Sequence, residues 1–401
     1  MTSSLTAPRR TWRAVSPDQV QARSQVLERS VRRRLGTAWA LLFFNTLTYT
    51  GAAILPIPAK LGKIGPQGVL PLAILILLSI NPKIKLRPNL FLCVMYLLCV
   101  DAMVSAAHLG TFGTALRTIR LAEYLFALWL LTPWFGRADM LLAKYQLRAL
   151  WCTLISVLVG VLISPGIALA GGRLRATIWP IYPTQLAQYG AVAAGMIVVL
   201  WMGRKASGRA ALAGVTIGIA ELLLSHTRTA LIGLIAGLIV AGLSLSNARV
   251  RRFFFVTAAV TAAGGVIAAS AITSWLTRGE GVAGLRTLTG RTNFWAAVLN
   301  TPRTPFQEIF GFGISNASVN GLPIDSNWLS AYMEEGILGV IICALVILVL
   351  FGAILLKTSG LARALALFLV TYVLVASFTE DAFSDVTTYF LHLTVAASLI
   401  T

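Results

Sequence analysis

The sequence predicts an all-α polytopic integral membrane protein, and three observations support this prediction. Hydrophobic residues make up 57% of the 401 residues, whereas charged residues make up only 12%. The mean hydropathy is +0.80, well above that of a soluble globular chain. Apolar runs long enough to cross a hydrocarbon core of about 30 Å recur along almost the whole length. Because backbone polar groups in lipid must be satisfied internally, we expect these runs to be helices.

The apolar runs divide the chain into about twelve predicted transmembrane helices. Residues 36–275 hold helices 1–9 and residues 334–401 hold helices 10–12, with a basic cytoplasmic segment at 1–35 and a long extracytoplasmic loop at 276–333. Segment 67–80 is short for a span, so a re-entrant hairpin is an alternative there. We expect no cleavable signal, because LPIPAK rather than a run of small residues follows the first apolar run. The predicted spans are 36–55, 67–80, 89–108, 116–134, 147–169, 185–203, 210–225, 228–246, 253–275, 334–356, 361–379 and 383–400.

Basic residues outnumber acidic ones by 33 to 14, which gives a formal net charge of +19. Basic clusters precede the first predicted span and follow every second span after it. By the positive-inside rule they mark the cytoplasmic face and place both termini there. The charge therefore indicates topology and contact with anionic membrane lipids, and it does not indicate a nucleic-acid partner. The later clusters are Lys83, Lys85 and Arg87; Arg137, Lys144 and Arg148; Arg204, Lys205 and Arg209; Arg249, Arg251 and Arg252; and Lys357 and Arg363.

Seven arginines are predicted on or near the outer side, against this topological bias. A cation at membrane depth costs from about 2.5 to about 10 kcal/mol or more, so such residues normally line a wet cavity or bind an anion. We therefore expect an anionic ligand on the outer face. The four cysteines all fall in predicted spans without metal-ligand spacing, so neither a disulfide framework nor a metal site is predicted. The seven arginines are Arg117, Arg120, Arg173, Arg175, Arg228, Arg286 and Arg291.

The loop at 276–333 is the only long outer segment that the sequence predicts. Its stretch TGRTNFWAAVLN has apolar residues at helical spacing, which predicts a short interfacial helix with Thr289 or Thr292 as the N-cap. The following IFGFG contains Gly311 and Gly313, which allow a tight turn or the close approach of another segment. Asp325 or Ser326 then precedes the next span as a helix cap.

Four stretches, in this order, resemble the O-antigen ligase and polysaccharide polymerase superfamily of bacterial membrane glycosyltransferases. They are GRLRATIWPIYPTQLAQYG, LLLSHTRTALIGL, LTGRTNFWAAV followed by IFGFG, and DSNWLSAYMEEGILG. Together with the predicted spans and the single long outer loop, the resemblance covers most of residues 170–356. It implies a multi-pass protein of the bacterial plasma (inner) membrane, with its active site on the outer face.

The resemblance also implies a ligand for the outer arginines. Arg175, Arg228 and Arg291 match family arginines that bind the pyrophosphate of an undecaprenyl-diphosphate donor, and we add Arg173 and Arg120 as further candidates for this role. One departure concerns the acceptor. Family ligases carry a histidine just before the asparagine of the last motif, whereas this chain has Ser326 before Asn327. This difference favours a polymerase, or a ligase with another acceptor.

The predicted chemistry requires cations and a base. Transfer from a lipid diphosphate leaves negative charge on the departing pyrophosphate, which the fork of a guanidinium group suits well. The sequence has no DxD-type carboxylate pair, so we expect metal-independent transfer without a cofactor. Asp325, Arg291 and Arg228 are the predicted catalytic residues. Other candidates for the base are Glu308, His226, Glu380, Asp381 and Asp385.

Each candidate also has a structural interpretation. Arg228 is alternatively a helix-end residue that snorkels to the interface, and Arg291 an anchor for the loop helix. Asp325 is alternatively a helix cap. Arg117 and Arg120 fit a structural ion pair with Glu123 as well as they fit a phosphate clamp.

The predicted function is polymerisation or ligation of lipid-linked glycans in the biosynthesis of a cell-surface polysaccharide. The expected partners are an undecaprenyl-diphosphate-linked oligosaccharide, a glycan or lipid acceptor, membrane lipids and other polysaccharide-assembly proteins. The alternative is a transporter or flippase of an anionic or lipid-linked sugar, which would use the same arginines as a transient site. The absence of an internal repeat in the sequence speaks against this alternative.

Overall fold

The computed structural model is helical apart from one pair of two-residue strands. It describes residues 17–51, 54, 57–245, 250, 252–257, 275, 291–314, 318–319, 322–380 and 383–400. The helices are α1 (Pro17–Asn45), α2 (Ala59–Ile80), α3 (Leu90–Leu109), α4 (Phe112–Leu130), α5 (Leu141–Ile163), α6 (Pro165–Ala168), α7 (Pro183–Met202), α8 (Gly208–Leu224), α9 (Arg228–Leu245), α10 (Arg291–Leu299), α11 (Pro305–Phe310), α12 (Asn327–Lys357), α13 (Gly360–Ala376) and α14 (Thr388–Ser398). Strand β1 (Ser318–Val319) pairs antiparallel with β2 (Leu322–Pro323).

Six helices in the described part of the chain are long and apolar enough to cross a membrane. The all-helical fold is therefore confirmed, while the total of twelve spans stays a prediction. The predicted span 253–275 lies almost entirely outside the described residues. The six candidates are Lys60–Ile80, Leu90–Leu109, Leu141–Ile163, Pro183–Met202, Arg228–Leu245 and Asn327–Lys357.

Helix α7 is the most buried of these candidate spans. Of its apolar window 78% is buried inside the protein, the largest share of any candidate span. Two glycines allow its neighbours to pack this closely. At Gly190 an added Cβ would lie 2.5 Å from the backbone oxygen of Gly218 in α8, and at Gly195 it would clash with Phe368 of α13. α7 is therefore a buried helix that packs closely against α5, α8, α9 and α13, as is typical when small residues line a helix contact.

The connections between the helices collect at two ends of the bundle. At one end, which we call the cavity end, the backbone N–H of Thr50 donates to Pro180 at 2.9 Å, and that of Leu174 donates to Leu224 at 2.9 Å. At the opposite end the backbone N–H of Gly136 donates to Ser398 at 2.8 Å. The segments at the cavity end are those for which the charge pattern predicts the outer side.

The predicted span 36–55 is wrong in its second half. Helix α1 ends at Asn45, and the described residues 46–51 and 54 after it are not helical. Their backbone groups are satisfied instead by the segment before α7, since Ile54 donates its N–H to Thr177 at 2.8 Å. A segment rich in threonine, glycine and proline does not continue a helix, although its hydropathy resembles that of one.

The re-entrant hairpin considered for 67–80 is also wrong. Helix α2 is continuous over 22 residues and begins at Ala59, well before the predicted start. Pro66 and Pro71 lie inside it. The hydropathy pattern did not include the first two turns of α2 in the predicted span, because these turns contain lysine and glycine. Both residues lower the mean hydropathy without ending the helix.

The predicted start of the last long span, residue 334, falls at a kink in helix α12. The helix begins at Asn327, with Ser326 in the N-cap position but without a capping side-chain bond, and it is interrupted at Gly336. The kink leaves two backbone carbonyl groups free of bonds within the helix. The backbone N–H of Phe312 donates to Met333 at 2.9 Å, and that of Gly313 donates to Glu334 at 2.7 Å. The predicted close approach at Gly311 and Gly313 is confirmed, because an added Cβ at Gly311 would strike Glu334.

Replacing Gly336 by alanine is expected to destabilise the protein. Gly336 has φ 69° and ψ −162°, a conformation essentially restricted to glycine, and an added Cβ would strike the carbonyl of Ile309 in α11. We expect a loss of about 1–3 kcal/mol, measured by thermal unfolding in detergent. Gly352→Ala is the matched control, because an added Cβ at that glycine of the same helix meets nothing within 4 Å. Equal melting temperatures for the two variants would contradict the prediction.

A short helix, α10 (Arg291–Leu299), lies where the sequence predicts one, and its interfacial position stays a prediction. Thr292 lies inside this helix, so it is not the N-cap, and Thr289 lies outside the described residues. The side chain of Arg291 is likewise outside the described part of the chain, as is Arg286.

Candidate functional site

A polar cavity of about 640 Å³ opens at the cavity end of the bundle. This volume falls within the range of about 300–1,000 Å³ that is typical of ligand clefts. Its walls come from the non-helical segment after α1, the first turns of α2, α4 and α7, and the segments before α12 and α14. Because α1 stops at Asn45 rather than crossing the whole predicted span, its following residues Thr46–Tyr49 form part of the wall.

Two arginines from the first turns of α4 reach this polar cavity. Arg117 forms an ion pair with Asp385 at 3.6 Å. Arg120 lies one turn further along α4 and donates from Nη2 to the backbone oxygen of Asn45 at 3.0 Å and to its Oδ1 at 3.3 Å. Its Nε is buried without a hydrogen-bond partner in the described structure. An ion-pair partner of Arg117, Asp385, thus belongs to the distant segment before α14. An ion pair with Glu123, the structural alternative, would have lain within α4.

Three carboxylates line the same cavity, from the segments before α12 and α14. They are Asp325, Glu380 and Asp385, so the structure places three of the predicted base candidates together. Of the other candidates, Glu308 accepts a hydrogen bond from the Tyr332 hydroxyl at 2.8 Å, away from the cavity lining. Asp381 lies outside the described residues.

Asn327 holds the carboxylate-bearing segments in position. Its Oδ1 accepts the backbone N–H groups of Phe383 at 2.7 Å and Ser384 at 3.0 Å. Its own backbone N–H donates to Ser377 at 2.9 Å and to Glu380 at 3.0 Å. One fully buried side chain therefore fixes the turn that carries Glu380 and Asp385 against the start of α12.

Replacing Asn327 by leucine is expected to lower both stability and ligand binding. Two buried N–H donors would lose their acceptor, at a cost of about 1–3 kcal/mol each. Asn327→Asp is the control, because it keeps the acceptor oxygen and loses only Nδ2, which has no partner in the described structure. Thermal unfolding should rank the wild type as most stable, Asn327→Asp next and Asn327→Leu last. A leucine variant as stable as the wild type would show that the two contacts do not hold the turn.

Neutral polar side chains complete the polar cavity. Gln185 accepts a hydrogen bond from the Thr48 hydroxyl at 2.6 Å and donates to the backbone oxygen of Thr46 at 3.1 Å. Gln188 is 3% exposed, and its Nε2 has no hydrogen-bond partner in the described structure. A buried amide without a partner is uncommon, because leaving it unpaired is costly. Gln188 and Arg120, which both line the cavity, therefore each have one buried donor nitrogen without a partner in the described structure.

A second group of cations lies at the turn between α8 and α9, residues 225–228. Arg173 donates from Nε to the backbone oxygen of Ser225 at 2.9 Å and from Nη2 to Thr227 Oγ1 at 3.4 Å. Arg228 is the first residue of α9, and its Nε and Nη2 are buried without a hydrogen-bond partner among the described residues. Arg173 thus contacts the residue that directly precedes Arg228, but neither arginine belongs to the lining of the polar cavity.

The turn 225–228 adjoins the polar cavity through one contact. The Thr229 hydroxyl in the first turn of α9 lies 2.5 Å from that of Thr379. Thr379 immediately precedes Glu380 of the cavity wall. His226 makes the sharp turn itself, with φ 51°, an uncommon value for a residue other than glycine. Its ring stacks on Trp275 at 6.1 Å, so the structure gives this predicted base a part in the turn rather than in the cavity lining.

Arg175 is exposed and lies beside Gly171 in the segment that joins α6 to α7. Its backbone N–H donates to Ala168 at 2.8 Å. This segment also supplies Arg173, so the two arginines lie on the same glycine-rich break. For Arg291 the structure gives only its position at the start of α10.

Sequence reasoning missed the amides of this site and one further arginine. Asn45, Gln185 and Gln188 lie within predicted spans, where a polar side chain is itself a functional signal. Arg303 packs over the Tyr332 ring at 3.7 Å and donates to the Tyr332 backbone oxygen at 2.8 Å. It braces the loop before α11 against the kinked helix α12, and nothing in the local sequence indicates that partner.

These features define an all-helical protein with several apolar helices suited to a membrane and a charged, polar cavity at one end of the bundle. Neither the protein-family models nor the curated proteins contain a match to the chain.

Proposed function

We propose that the protein is an extracytoplasmic glycosyltransferase of a bacterial inner membrane, with about twelve spans and both termini in the cytoplasm. It polymerises or ligates undecaprenyl-diphosphate-linked glycans for a cell-surface polysaccharide, as the resemblance to the O-antigen ligase and polysaccharide polymerase superfamily implies. The transfer is metal-independent.

The observation that carries the proposal is the unsatisfied guanidinium of Arg228. Two of its nitrogens are buried without a hydrogen-bond partner in the described structure. A buried cation normally has an anionic partner, since desolvation of an unpaired charge is expensive. Arg228 also begins the 18-residue helix α9, and a helix N-terminus favours an anion through its first N–H groups and its dipole. A diphosphate supplies the acceptor oxygens that this arrangement lacks.

Arg173 supports the same assignment from the opposite side of the turn. It is positioned by Ser225 and Thr227, so its guanidinium is held near the start of α9 before any ligand binds. Preorganised cations of this kind stabilise charge that develops on a leaving group. We assign Arg173 and Arg228 to the lipid diphosphate. Arg175 and Arg291 remain predicted contributors to the same site.

The transfer step follows from these two neighbouring sites. The acceptor hydroxyl oxygen attacks the anomeric carbon of the donor sugar, and the bond from that carbon to the diphosphate oxygen breaks. The electron pair leaves with the diphosphate, which Arg173 and Arg228 stabilise. The hydroxyl proton passes to a cavity carboxylate, for which we keep Asp325 as the predicted base. Asp325 directly precedes α12 and lines the polar cavity.

The experiment is reconstitution of the purified protein in liposomes with an undecaprenyl-diphosphate-linked oligosaccharide. A glycosyltransferase lengthens or transfers the glycan, visible as a ladder or a shifted band on a gel, without net movement of the lipid between leaflets. The alternative transporter or flippase would move the lipid-linked sugar and leave its length unchanged. Translocation without new glycosidic bonds would overturn the proposal.

A further inference from the structure

A second cavity, of about 310 Å³, lies at the end of the bundle opposite the polar cavity. Gly136 is part of its lining, and the backbone N–H of this glycine donates to Ser398 at 2.8 Å, the contact that marks this end. The charge pattern predicts the cytoplasmic side here. The volume lies at the lower end of the range of about 300–1,000 Å³ that is typical of ligand clefts. We call this space the basic cavity.

The lining of the basic cavity combines one cation with apolar side chains. Arg87 is the one charged residue in its described lining. The side chain of Arg87 is exposed, and it forms no ion pair or hydrogen bond within the described part of the chain, so its five N–H donors are open to a ligand. Phe135 and Ile400 supply apolar surface. An anion bound here would meet a guanidinium group, and the carbon atoms attached to the anion would meet apolar side chains.

The segment between α2 and α3, residues 81–89, fixes the backbone that carries Arg87. Near its start, Asn81 donates from Nδ2 to the backbone oxygen of Lys85 at 2.9 Å and accepts the backbone N–H of Lys85 at its Oδ1, also at 2.9 Å. Near its end, the backbone N–H of Arg87 donates to Thr132 Oγ1 at 2.9 Å. The backbone is therefore ordered before a ligand binds, which lowers the entropic cost of binding.

The same segment alternates basic and apolar side chains. Lys83, Lys85 and Arg87 are exposed, and between them lie Ile84 and Leu86, which are 50% and 45% exposed. Cations interleaved with exposed apolar side chains at the ends of membrane helices are typical of a segment that lies in the headgroup region. The cations attract anionic lipids of the cytoplasmic leaflet. A phospholipid is therefore the nearest source of an anion for the basic cavity.

We propose that the basic cavity binds the headgroup of one anionic phospholipid of the cytoplasmic leaflet, and that Arg87 holds its phosphate. The fork of a guanidinium group donates parallel hydrogen bonds to two phosphate oxygens. The glycerol carbons of the lipid lie against Phe135 and Ile400, while Lys83 and Lys85 add attraction from nearby. A zwitterionic headgroup is disfavoured, because its ammonium would lie among cations and would find no carboxylate in the described lining.

The test is native mass spectrometry of the purified protein, released from detergent after addition of phosphatidylglycerol or of phosphatidylethanolamine with the same acyl chains. Stepwise titration gives the dissociation constant of the first bound lipid. The wild type should bind phosphatidylglycerol at least about tenfold more tightly than phosphatidylethanolamine, because only the former lacks the repelled ammonium. Soluble glycerol phosphate at the same concentration should not displace the lipid, since it has no acyl chains to hold it at the interface.

Three variants locate the binding. Arg87→Gln should weaken phosphatidylglycerol binding at least about tenfold, because the phosphate loses a charge-assisted hydrogen bond. Arg87→Lys should give an intermediate affinity, since it keeps the charge without the fork. The matched control is Arg209→Gln, which removes the same charge from an exposed residue at the start of α8, at the same end of the bundle. General attraction to the protein surface is worth about fivefold per basic residue, so the control should lose no more than that.

Equal weakening in Arg87→Gln and Arg209→Gln would overturn the proposal, because general surface attraction would then explain the binding. Equal affinity of the wild type for the two lipids would also overturn it. Displacement of the lipid by glycerol phosphate would identify a site for a soluble phosphate instead. The measurement does not involve glycan transfer, so this proposal and the proposed function fail separately.

Discussion

Replacing Arg228 by glutamine is expected to lower the rate of glycan transfer by about 100- to 1,000-fold, the usual cost of removing one preorganised donor from developing negative charge. The guanidinium has two buried nitrogens without a partner in the described structure, and the proposed function assigns the lipid diphosphate to them. Glutamine keeps a polar side chain but supplies neither the charge nor the fork. The measurement is the initial rate of product formation in liposomes with a lipid-linked oligosaccharide.

Two controls separate this role from a structural one. Arg228→Lys keeps the charge and loses the forked geometry, so its rate should fall between those of the wild type and the glutamine variant. Arg209→Gln makes the same change at the start of α8, where the arginine is exposed and at the opposite end of the bundle. Its rate should equal that of the wild type. If Arg228 only snorkels to the interface, the Arg228→Gln variant should transfer glycan at the wild-type rate. That result would show that Arg228 is not part of the site.

Replacing Asp325 by asparagine is expected to reduce the turnover number by about 100- to 10,000-fold, the usual contribution of a general base. Asn has nearly the same shape and can still accept a hydrogen bond, but it cannot take up the proton of the acceptor hydroxyl. Asp325 lines the polar cavity together with Glu380 and Asp385. The affinity for the donor should change little, because the lipid diphosphate is assigned to Arg173 and Arg228.

The helix-cap interpretation of Asp325 predicts a different result. A carboxylate near the start of a helix contributes about 0.3–1 kcal/mol, so its loss would shift the melting temperature slightly and leave turnover unchanged. The N-cap position of α12 is occupied by Ser326 rather than by Asp325. Glu380→Gln, measured in parallel, tests whether a neighbouring carboxylate is the base instead. If Glu380→Gln abolished turnover and Asp325→Asn did not, the assignment would move to Glu380.

Long apolar runs were predictable to within a few residues. The predicted span 228–246 corresponds to α9 at Arg228–Leu245, and 89–108 corresponds to α3 at Leu90–Leu109. Polar residues or glycine lie at both ends of each helix, so the mean hydropathy falls where the helix ends. The errors fall where hydropathy and helix propensity disagree. Residues after Asn45 are apolar enough for a span but contain the threonines and glycine of an irregular segment.

The candidate site was predictable only in part. Arg120, Arg173 and Arg228 attract notice because each interrupts an apolar pattern on the side where cations are disfavoured. The division of these arginines between the cavity and the turn 225–228 was not predictable. It depends on which helix ends meet, as the pairing of Arg117 with Asp385 shows, since those residues are far apart along the chain. The amide of Gln188 carries no charge, so its only signal was a polar residue inside a predicted span.

By itself the sequence determined that the chain forms apolar helices, where most of them lie, and which cations stand against the expected sidedness. Those properties are local, because hydropathy and charge act over one helix length. Only the tertiary structure decided that Asn45, Gln188, Asp325 and Glu380 share a cavity and that Arg228 is buried without a partner in the described structure. Burial and pairing arise from contacts between distant segments, which no local pattern encodes.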